Sequence, residues 1–216
     1  YCCQPVQIGF SRAEFLFGIF TPNMQPRNTG CFLEHLSPFL RFGGNDCTDP
    51  ALRNQRGTMR SSRGIGKGIA LALAEQGATV YITGRTVNEG DYYLPGTVSG
   101  TAAECDARGA ASGGKGVAVP CDHANDEQVA ALFERIKTES GRLDILVNNA
   151  FILPDDLLEP KGFWEKPLSN WDMMDVGVRS NYFAAWHAAQ IMVPQKSGLI
   201  INISGYAART YTYGVL

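Results

Sequence analysis

The sequence lacks the features of a membrane or nucleic-acid-binding protein. No apolar run reaches the about 18 to 20 residues that a membrane-spanning helix needs, and the apolar stretch at residues 15–20 is too short for a secretory signal. Charge of one sign is not in excess either: 19 basic residues stand against 21 acidic ones, for a net charge of −2. Such a balance gives no electrostatic attraction to nucleic acid or to an acidic membrane. We therefore expect neither as a partner.

Metal-ligand and disulfide patterns are also missing. None of the six cysteines forms a C-x-x-C pair, and the three histidines do not fall at metal-ligand spacings. A disulfide framework is not expected in a chain of 216 residues, so we interpret the cysteines as reduced thiols. This predicts a cytoplasmic protein without a metal site.

Residues 1–58 show no sustained hydrophobic period. They contain four of the cysteines and five prolines, and they match no motif. We predict a poorly ordered arm of unassigned function over 1–58, followed by one domain over 59–216. Because the chain begins with tyrosine, we also expect it to be incomplete or processed at this end.

From residue 61 onward, apolar helices alternate with short β-branched strands. The clearest helix carries Val129, Leu132, Phe133 and Ile136 on one face, and Asn125 followed three residues later by Gln128 resembles a capping box. Helices are predicted at 65–76, 101–110, 125–140 and 171–193, and strands at 78–83, 116–121, 143–147 and 199–203. This alternation predicts an α/β protein with a Rossmann-like, doubly wound parallel sheet.

A glycine-rich turn, S-S-R-G-I-G-K-G at residues 61–68, opens directly into the first of these helices. Glycine lets the backbone approach a phosphate closely, and a helix N-terminus offers unpaired N–H groups to an anion. The preceding residues 48–60 are polar and do not resemble a buried strand. We therefore expect the first strand of the sheet to be poor or missing, with a gap at the centre.

Polar residues cluster where the predicted strands end. They are Gly84-Arg85, Cys121-Asp122, Asn148-Asn149 and Ser204. Ligands of parallel sheets bind at the carboxyl ends of the strands, so these positions are the candidate site.

Together these clusters resemble the short-chain dehydrogenase/reductase family. The resemblance covers residues 59–216 and rests on four motifs in family order: S-R-G-I-G, C-D, N-N-A and N-I-S. The loop T-V-N-E-G-D-Y-Y-L-P-G-T and the helix V-G-V-R-S-N-Y-F further resemble the dehydrogenase/reductase member 1-like branch. The resemblance implies an NAD(P)-dependent oxidoreductase that moves a hydride between nicotinamide and a small-molecule carbonyl or secondary alcohol.

The resemblance also implies roles for individual residues. The phosphate loop would consist of Ser62, Arg63, Gly64, Ile65 and Gly66. Arg63 and Arg85 would pair with the 2′-phosphate of NADP, and the strand end Thr83-Gly84-Arg85 lacks the acidic residue that holds an NAD ribose. NADP is therefore favoured over NAD, while solvated surface arginines are the alternative.

Other positions carry a structural alternative beside the functional one. Asp122 would bind the adenine amino group, or only cap the following helix. Asn149 and Ala150 would line the adenosine side of the cleft, where Asn149 would also satisfy strand-end backbone groups. Ser204 would donate a hydrogen bond to the substrate oxygen, or be an ordinary strand-end hydroxyl.

Three departures from the family pattern set the functional expectation. Arg60 stands where the family has its first glycine, and Gly177 stands where the family has a helix asparagine. The family's catalytic tyrosine, followed four residues later by lysine, has no counterpart; Tyr211 and Tyr213 lack that lysine. We expect a chain truncated at both ends of the domain, without the last strands and inactive. The alternative is a non-catalytic dinucleotide-binding or partner-binding protein, and the full-length relative could form homo-oligomers through its long helices.

Overall fold

The structure is a computed structural model that describes residues 56–60, 62–91, 95–152, 154–156 and 159–204, with only the main chain of 56–60. The predicted arm lies outside these residues except for 56–58. Tyr211 and Tyr213 also lie outside them.

The described chain contains five strands and five α-helices, and at least one helix lies between every two successive strands. The strands are β1 Arg56–Arg60, β2 Thr79–Gly84, β3 Lys115–Pro120, β4 Ile145–Asn148 and β5 Leu199–Asn202. The helices are α1 Gly64–Glu75, α2 Val98–Gly109, α3 Asp126–Ser140, α4 Asp172–Met174 and α5 Ser180–Gln195, and a π-helical segment at Asp175–Arg179 joins the last two. The predicted helix at 171–193 is thus one helical span with a wide turn inside it.

The strands form one parallel sheet in the order β3-β2-β1-β4-β5. The order reverses at β1, which is the topological switch point where open α/β sheets bind ligands. The Rossmann-like α/β architecture predicted from the sequence is confirmed.

The expected gap at the centre is not found, and this prediction is corrected. Strand β1 pairs with β2 over all five of its residues and with β4 over three. The three that pair on both sides are Gly57, Thr58 and Met59, while Asn54 and Gln55 precede the strand. Strand pairing uses main-chain groups that every residue but proline supplies, so a polar sequence next to these three residues did not prevent it.

Two hydrophobic cores cover the two faces of the sheet. Alternate residues of one strand enter different cores, as the two-residue period of a strand requires. Val80 and Ile82 pack with α1 and α2, whereas Tyr81 packs with α3 and α5. Helices on both faces make the sheet doubly wound and leave the strand ends as the open edge.

Local sequence signals explain the clearest helix. Asn125 Oδ1 accepts a hydrogen bond from the backbone N–H of Gln128 at 3.1 Å, and Gly141 ends the helix with a φ of 66°. Only half of the predicted capping box forms, because Gln128 Oε1 accepts from the backbone N–H of Asp122 instead, at 2.8 Å. That second bond fixes the turn after β3.

Candidate functional site

The glycine-rich turn joins β1 to α1 at the switch point. Gly64 begins α1 with a φ of 60°, a backbone conformation that favours glycine. Within the described residues, the N-cap Arg63 makes no side-chain hydrogen bond to the helix, and the first turn holds no acidic residue. Ser62 and Gly66 are buried, and Ile65 is half exposed. A helix N-terminus without a side-chain cap offers backbone N–H groups to an anion, so this turn suits a phosphate.

Arg63 connects this turn to the loop that follows β2. Its Nη2 atom donates to Thr86 Oγ1 at 2.8 Å and to the backbone oxygen of Gly96 at 3.1 Å. Gly96 has a φ of 111°, and a Cβ atom there would lie 2.4 Å from the backbone oxygen of Ser62. Close packing of Gly96 on Ser62 thus holds the two loops together. Arg63 sits half-buried between them, and Arg85 is exposed at the end of β2.

Asp122 lies in a tight turn beyond β3. The backbone N–H of Cys121 donates to Gly84 O at 3.0 Å and so extends the pairing of β2 with β3 by one step. Asp122 Oδ1 then accepts from the N–H of Ala124 at 3.0 Å, and its carbonyl oxygen accepts from the N–H of Asn125 at the same distance. The Asp122 carboxylate is therefore part of the turn before α3, while the cap of that helix is Asn125.

The N-N-A motif ends β4 and meets the N-I-S motif of β5. Asn148 Nδ2 donates to Asn202 Oδ1 at 2.9 Å and to the backbone oxygen of Asn181 at 3.2 Å. Asn149 and Ala150 line a small cavity together with His123 and Asn181. Ser204 is half-buried two residues beyond β5. All the candidate site residues thus follow strand ends at one edge of the sheet.

Two buried polar residues at this edge were not among the predicted site residues. His123 Nε2 lies 2.9 Å from Thr83 Oγ1, and both side chains are buried. The only sequence signal was their position, at the end of a buried strand and directly after Asp122. A histidine at such a position carries no motif, so the pattern alone did not identify it.

Gly177 occupies the position where the family has a helix asparagine. Gly177 lies in the π-helical segment, where a Cβ atom would be 3.2 Å from Phe151 Cδ2. Asn181 Nδ2 donates to the backbone oxygen of Gly177 at 2.7 Å, and Ser180 Oγ donates to that of Val176 at 2.5 Å. Side chains thus bond the carbonyls of the wide turn, and the Phe151 ring packs next to Gly177.

The described residues hold no group of three or more His, Cys, Asp or Glu side chains that could bind a metal ion. None of the helices in the described part of the chain is long and apolar enough to cross a bilayer.

A parallel sheet with a glycine-rich turn at its switch point and polar strand ends defines a nucleotide-binding domain of the Rossmann type. Residues 59–214 match the family described as enoyl-(acyl carrier protein) reductase. The chain belongs to the short-chain dehydrogenase/reductase family, which confirms the resemblance found in the sequence.

Relatives of established name place the chain within the family. It is 42% identical over 159 residues to human dehydrogenase/reductase SDR family member 1, which covers 72% of this chain and 47% of that protein. It is 35% identical over 147 residues to hydroxysteroid dehydrogenase-like protein 2 of Xenopus tropicalis, covering 67% of this chain and 32% of that protein. The chain therefore spans about half the length, or less, of these relatives.

Solved structures agree with the fold. A short-chain alcohol dehydrogenase of Sinorhizobium meliloti superposes with a TM-score of 0.61 at 29% identity, over 74% of this chain and 60% of that one. A metagenomic short-chain oxidoreductase in complex with NADP superposes with a TM-score of 0.59 at 27% identity, over 74% and 66% of the two chains.

Proposed function

We propose that this chain is the cofactor-binding part of an NADP-dependent oxidoreductase acting on a small-molecule carbonyl or secondary alcohol. The observation that carries the proposal is the turn at Gly64. It joins the central strand to a helix N-terminus that no described side chain caps, with Arg63 beside it. Backbone N–H donors suit a pyrophosphate, and the Arg63 guanidinium would pair with the 2′-phosphate, so the residues present suit a dinucleotide.

The choice of NADP rests on the end of β2. Thr83-Gly84-Arg85 offers a cation and no carboxylate, and an arginine fork suits a phosphate better than a ribose hydroxyl. NADP is also the ligand of one of the similar structures. Asp122 would contact the adenine amino group, and Asn149 and Ala150 the rest of the adenosine.

When bound, the cofactor would supply or accept the hydride. Ser204 would hold the substrate oxygen by a hydrogen bond near the end of β5. The 216-residue sequence contains no tyrosine followed four residues later by lysine, so it offers no tyrosine of lowered pKa to move the hydroxyl proton. We therefore propose that this chain binds the cofactor without turning over substrate.

Calorimetric titration of the purified 216-residue chain tests the binding. NADPH should saturate one site per chain, and NADH should bind about tenfold more weakly or worse. A chain that folds cooperatively yet gives no saturable NADPH signal would overturn the proposal.

Incubation with NADPH and a panel of ketones and aldehydes tests the second half of the proposal. The absorbance of NADPH should stay at its background rate. Turnover above that rate would show that this chain supplies its own proton donor.

A second candidate function is that of a non-catalytic partner-binding protein. The exposed face of α5 favours it: Tyr182, Trp186 and Val193 are 69%, 56% and 69% exposed. An apolar stripe of this kind is typical of helix pairing between protomers. Sedimentation analysis should give a homo-oligomer if this face pairs, and Trp186→Glu should then shift it to monomer. We also propose a cytoplasmic location, because Cys105 and Cys121, the cysteines of the described region, are buried and form no disulfide bond. Imaging of a tagged full-length protein tests this location.

A further inference from the structure

Thr83 and His123 form a buried hydrogen bond beside the proposed cofactor site. Thr83 Oγ1 and His123 Nε2 are 2.9 Å apart. Thr83 is 0% exposed and His123 is 8% exposed. Because water does not replace a bond at this depth, separating the two groups would leave a buried hydroxyl or imidazole nitrogen without this partner.

The bond lies at the point where the main-chain pairing of β2 and β3 ends. Thr83 pairs with Val119 in the β3 register, and the last main-chain bond joins Cys121 N–H to Gly84 O. After that bond one segment continues to Arg85 and the other enters the Asp122 turn. The imidazole is thus a side-chain link between the two segments just where the backbone no longer joins them.

His123 also lies near the end of β4. It lines the small cavity shared with Asn148, Asn149 and Ala150. His123 therefore lies among three strand ends, and each of them carries a residue that the proposed function assigns to the adenosine half: Arg85, Asp122 and Asn149.

We infer that His123 is a positioning residue for the adenosine half of NADP, which it serves by fixing the spacing between the end of β2 and the Asp122 turn. The inference rests on the proposed function. This positioning role differs from ordinary core packing. An apolar side chain of similar size would fill the same space but would form no hydrogen bond with Thr83. Loss of that hydrogen bond would loosen Arg85 relative to Asp122. The binding of a ligand with a 2′-phosphate should therefore weaken more than the binding of a ligand without one.

The test is calorimetric titration of the 216-residue chain with NADPH, NADH and adenosine 2′,5′-bisphosphate. His123→Leu and Thr83→Val should each raise the dissociation constants of NADPH and of the bisphosphate by about 5- to 20-fold, with a smaller change for NADH. The double variant should be no weaker than either single one, because both remove the same bond. His123→Gln and Thr83→Ser, which keep a hydrogen-bonding group in reach, should stay within about threefold of wild type.

His187→Leu is the matched control, since His187 on α5 stacks on Phe133 of α3, with the two ring centres 5.6 Å apart, whereas the histidine that bonds Thr83 is His123. It should lower the melting temperature without changing the ratio of NADPH to NADH affinity. Should His123→Leu fail to fold, Thr83→Val and His123→Gln carry the same comparison.

The outcomes separate the two proposals. A wild-type chain that does not bind NADPH overturns the proposed function and this inference with it. A wild-type chain that binds, beside a His123→Leu variant with the same affinities, overturns the inference alone.

Discussion

Asn148 donates from Nδ2 to Asn202 Oδ1 at 2.9 Å and thereby joins the N-N-A motif of β4 to the N-I-S motif of β5. The same amide donates to the backbone oxygen of Asn181 in α5. Asn148 is 4% exposed, so this one side chain connects two strands and a helix inside the protein. Because Ser204 follows Asn202 by two residues, this bond also helps to fix the position of Ser204 beside the candidate site.

Replacing Asn148 by alanine should therefore lower the free energy of unfolding by about 1 to 3 kcal/mol, because Asn202 loses its donor and a cavity remains. Urea denaturation followed by far-UV circular dichroism measures it. Asn202→Ala, at an exposed partner, should cost less than Asn148→Ala. Equal costs for the two would contradict a network centred on Asn148.

Gly96 should tolerate substitution less well than Gly90, although both have a positive φ, 111° and 94°. Gly90→Ala meets no atom within 4 Å and should cost about 1 to 2 kcal/mol of backbone strain. Gly96→Ala should cost about 3 kcal/mol or more, because its Cβ would overlap the backbone oxygen of Ser62. Thermal unfolding gives the stabilities, and NADPH titration should show weaker binding for Gly96→Ala only. Unchanged NADPH binding in Gly96→Ala would show that the packing of Gly96 on Ser62 does not affect the phosphate loop.

Arg85→Ala should weaken NADPH binding by about tenfold or more and leave NADH binding within about twofold. The reason is that the guanidinium would contact the 2′-phosphate, which NADH lacks. Arg108→Ala is the control: it removes an equal charge from an exposed pair with Glu75, at 2.9 Å on the α1–α2 surface. If NADPH and NADH lose affinity equally in Arg85→Ala, the arginine does not select the phosphate.

Cys105 should resist alkylation in the folded chain. Burial raises the pKa of its thiol from the ordinary 9.0 to about 11, with Asp106 and Glu104 adding to the effect. At pH 8 the reactive thiolate is then about 0.1% of the total instead of about 10%. Peptide mapping after iodoacetamide treatment should find Cys105 unmodified in the native chain and modified in urea. Rapid modification of the native chain would show that α2 opens.

The pair of Asp126 and Arg179 should make stability depend on pH at the acidic end. Arg179 Nη1 donates to Asp126 Oδ1 at 2.8 Å, its Nη2 donates to Oδ2, and its guanidinium lies 4.5 Å from the centre of the Phe183 ring. These hydrogen bonds lower the pKa of Asp126 below its ordinary 3.8. The stabilisation is therefore fully present above about pH 4 and is lost as the pH falls through the lowered pKa.

Asp126→Asn should accordingly lower the melting temperature slightly at pH 7, and the difference from wild type should vanish toward pH 2. Glu127→Gln changes the charge equally in the same helical turn and serves as the control. A difference that persists at pH 2 would mean that Asp126 acts by packing.

The α/β alternation could be predicted from the sequence because each element shows its period locally. The stripe of Val129, Leu132, Phe133 and Ile136 marked α3, and Asn125 and Gly141 marked its ends within one residue. The predicted start of α2 was three residues late, because Thr97 caps the helix within a segment that looked like part of a loop. The four strand-end motifs also identified the family, since their order and spacing are local and fixed.

Strand β1 and the inner bonds of the site could not be predicted in this way. The polar residues around 54–60 argued against a strand, yet Gly57, Thr58 and Met59 pair on both sides. Likewise, Thr83 and His123 lie 40 residues apart, and Asn148 and Asn202 lie 54 apart. A hydrophobic period within one segment does not indicate which distant side chains form hydrogen bonds with each other.

The sequence by itself determined the class of fold, the family and the place of the site at the strand ends, because hydrophobic period and glycine positions act over a few residues. Only the tertiary structure decided that a central strand lies beneath the Gly64 turn, that Arg63 joins two loops, and that His123 lies among three strand ends. Those features depend on main-chain pairing and buried hydrogen bonds between distant segments, which form only when the whole sheet is assembled.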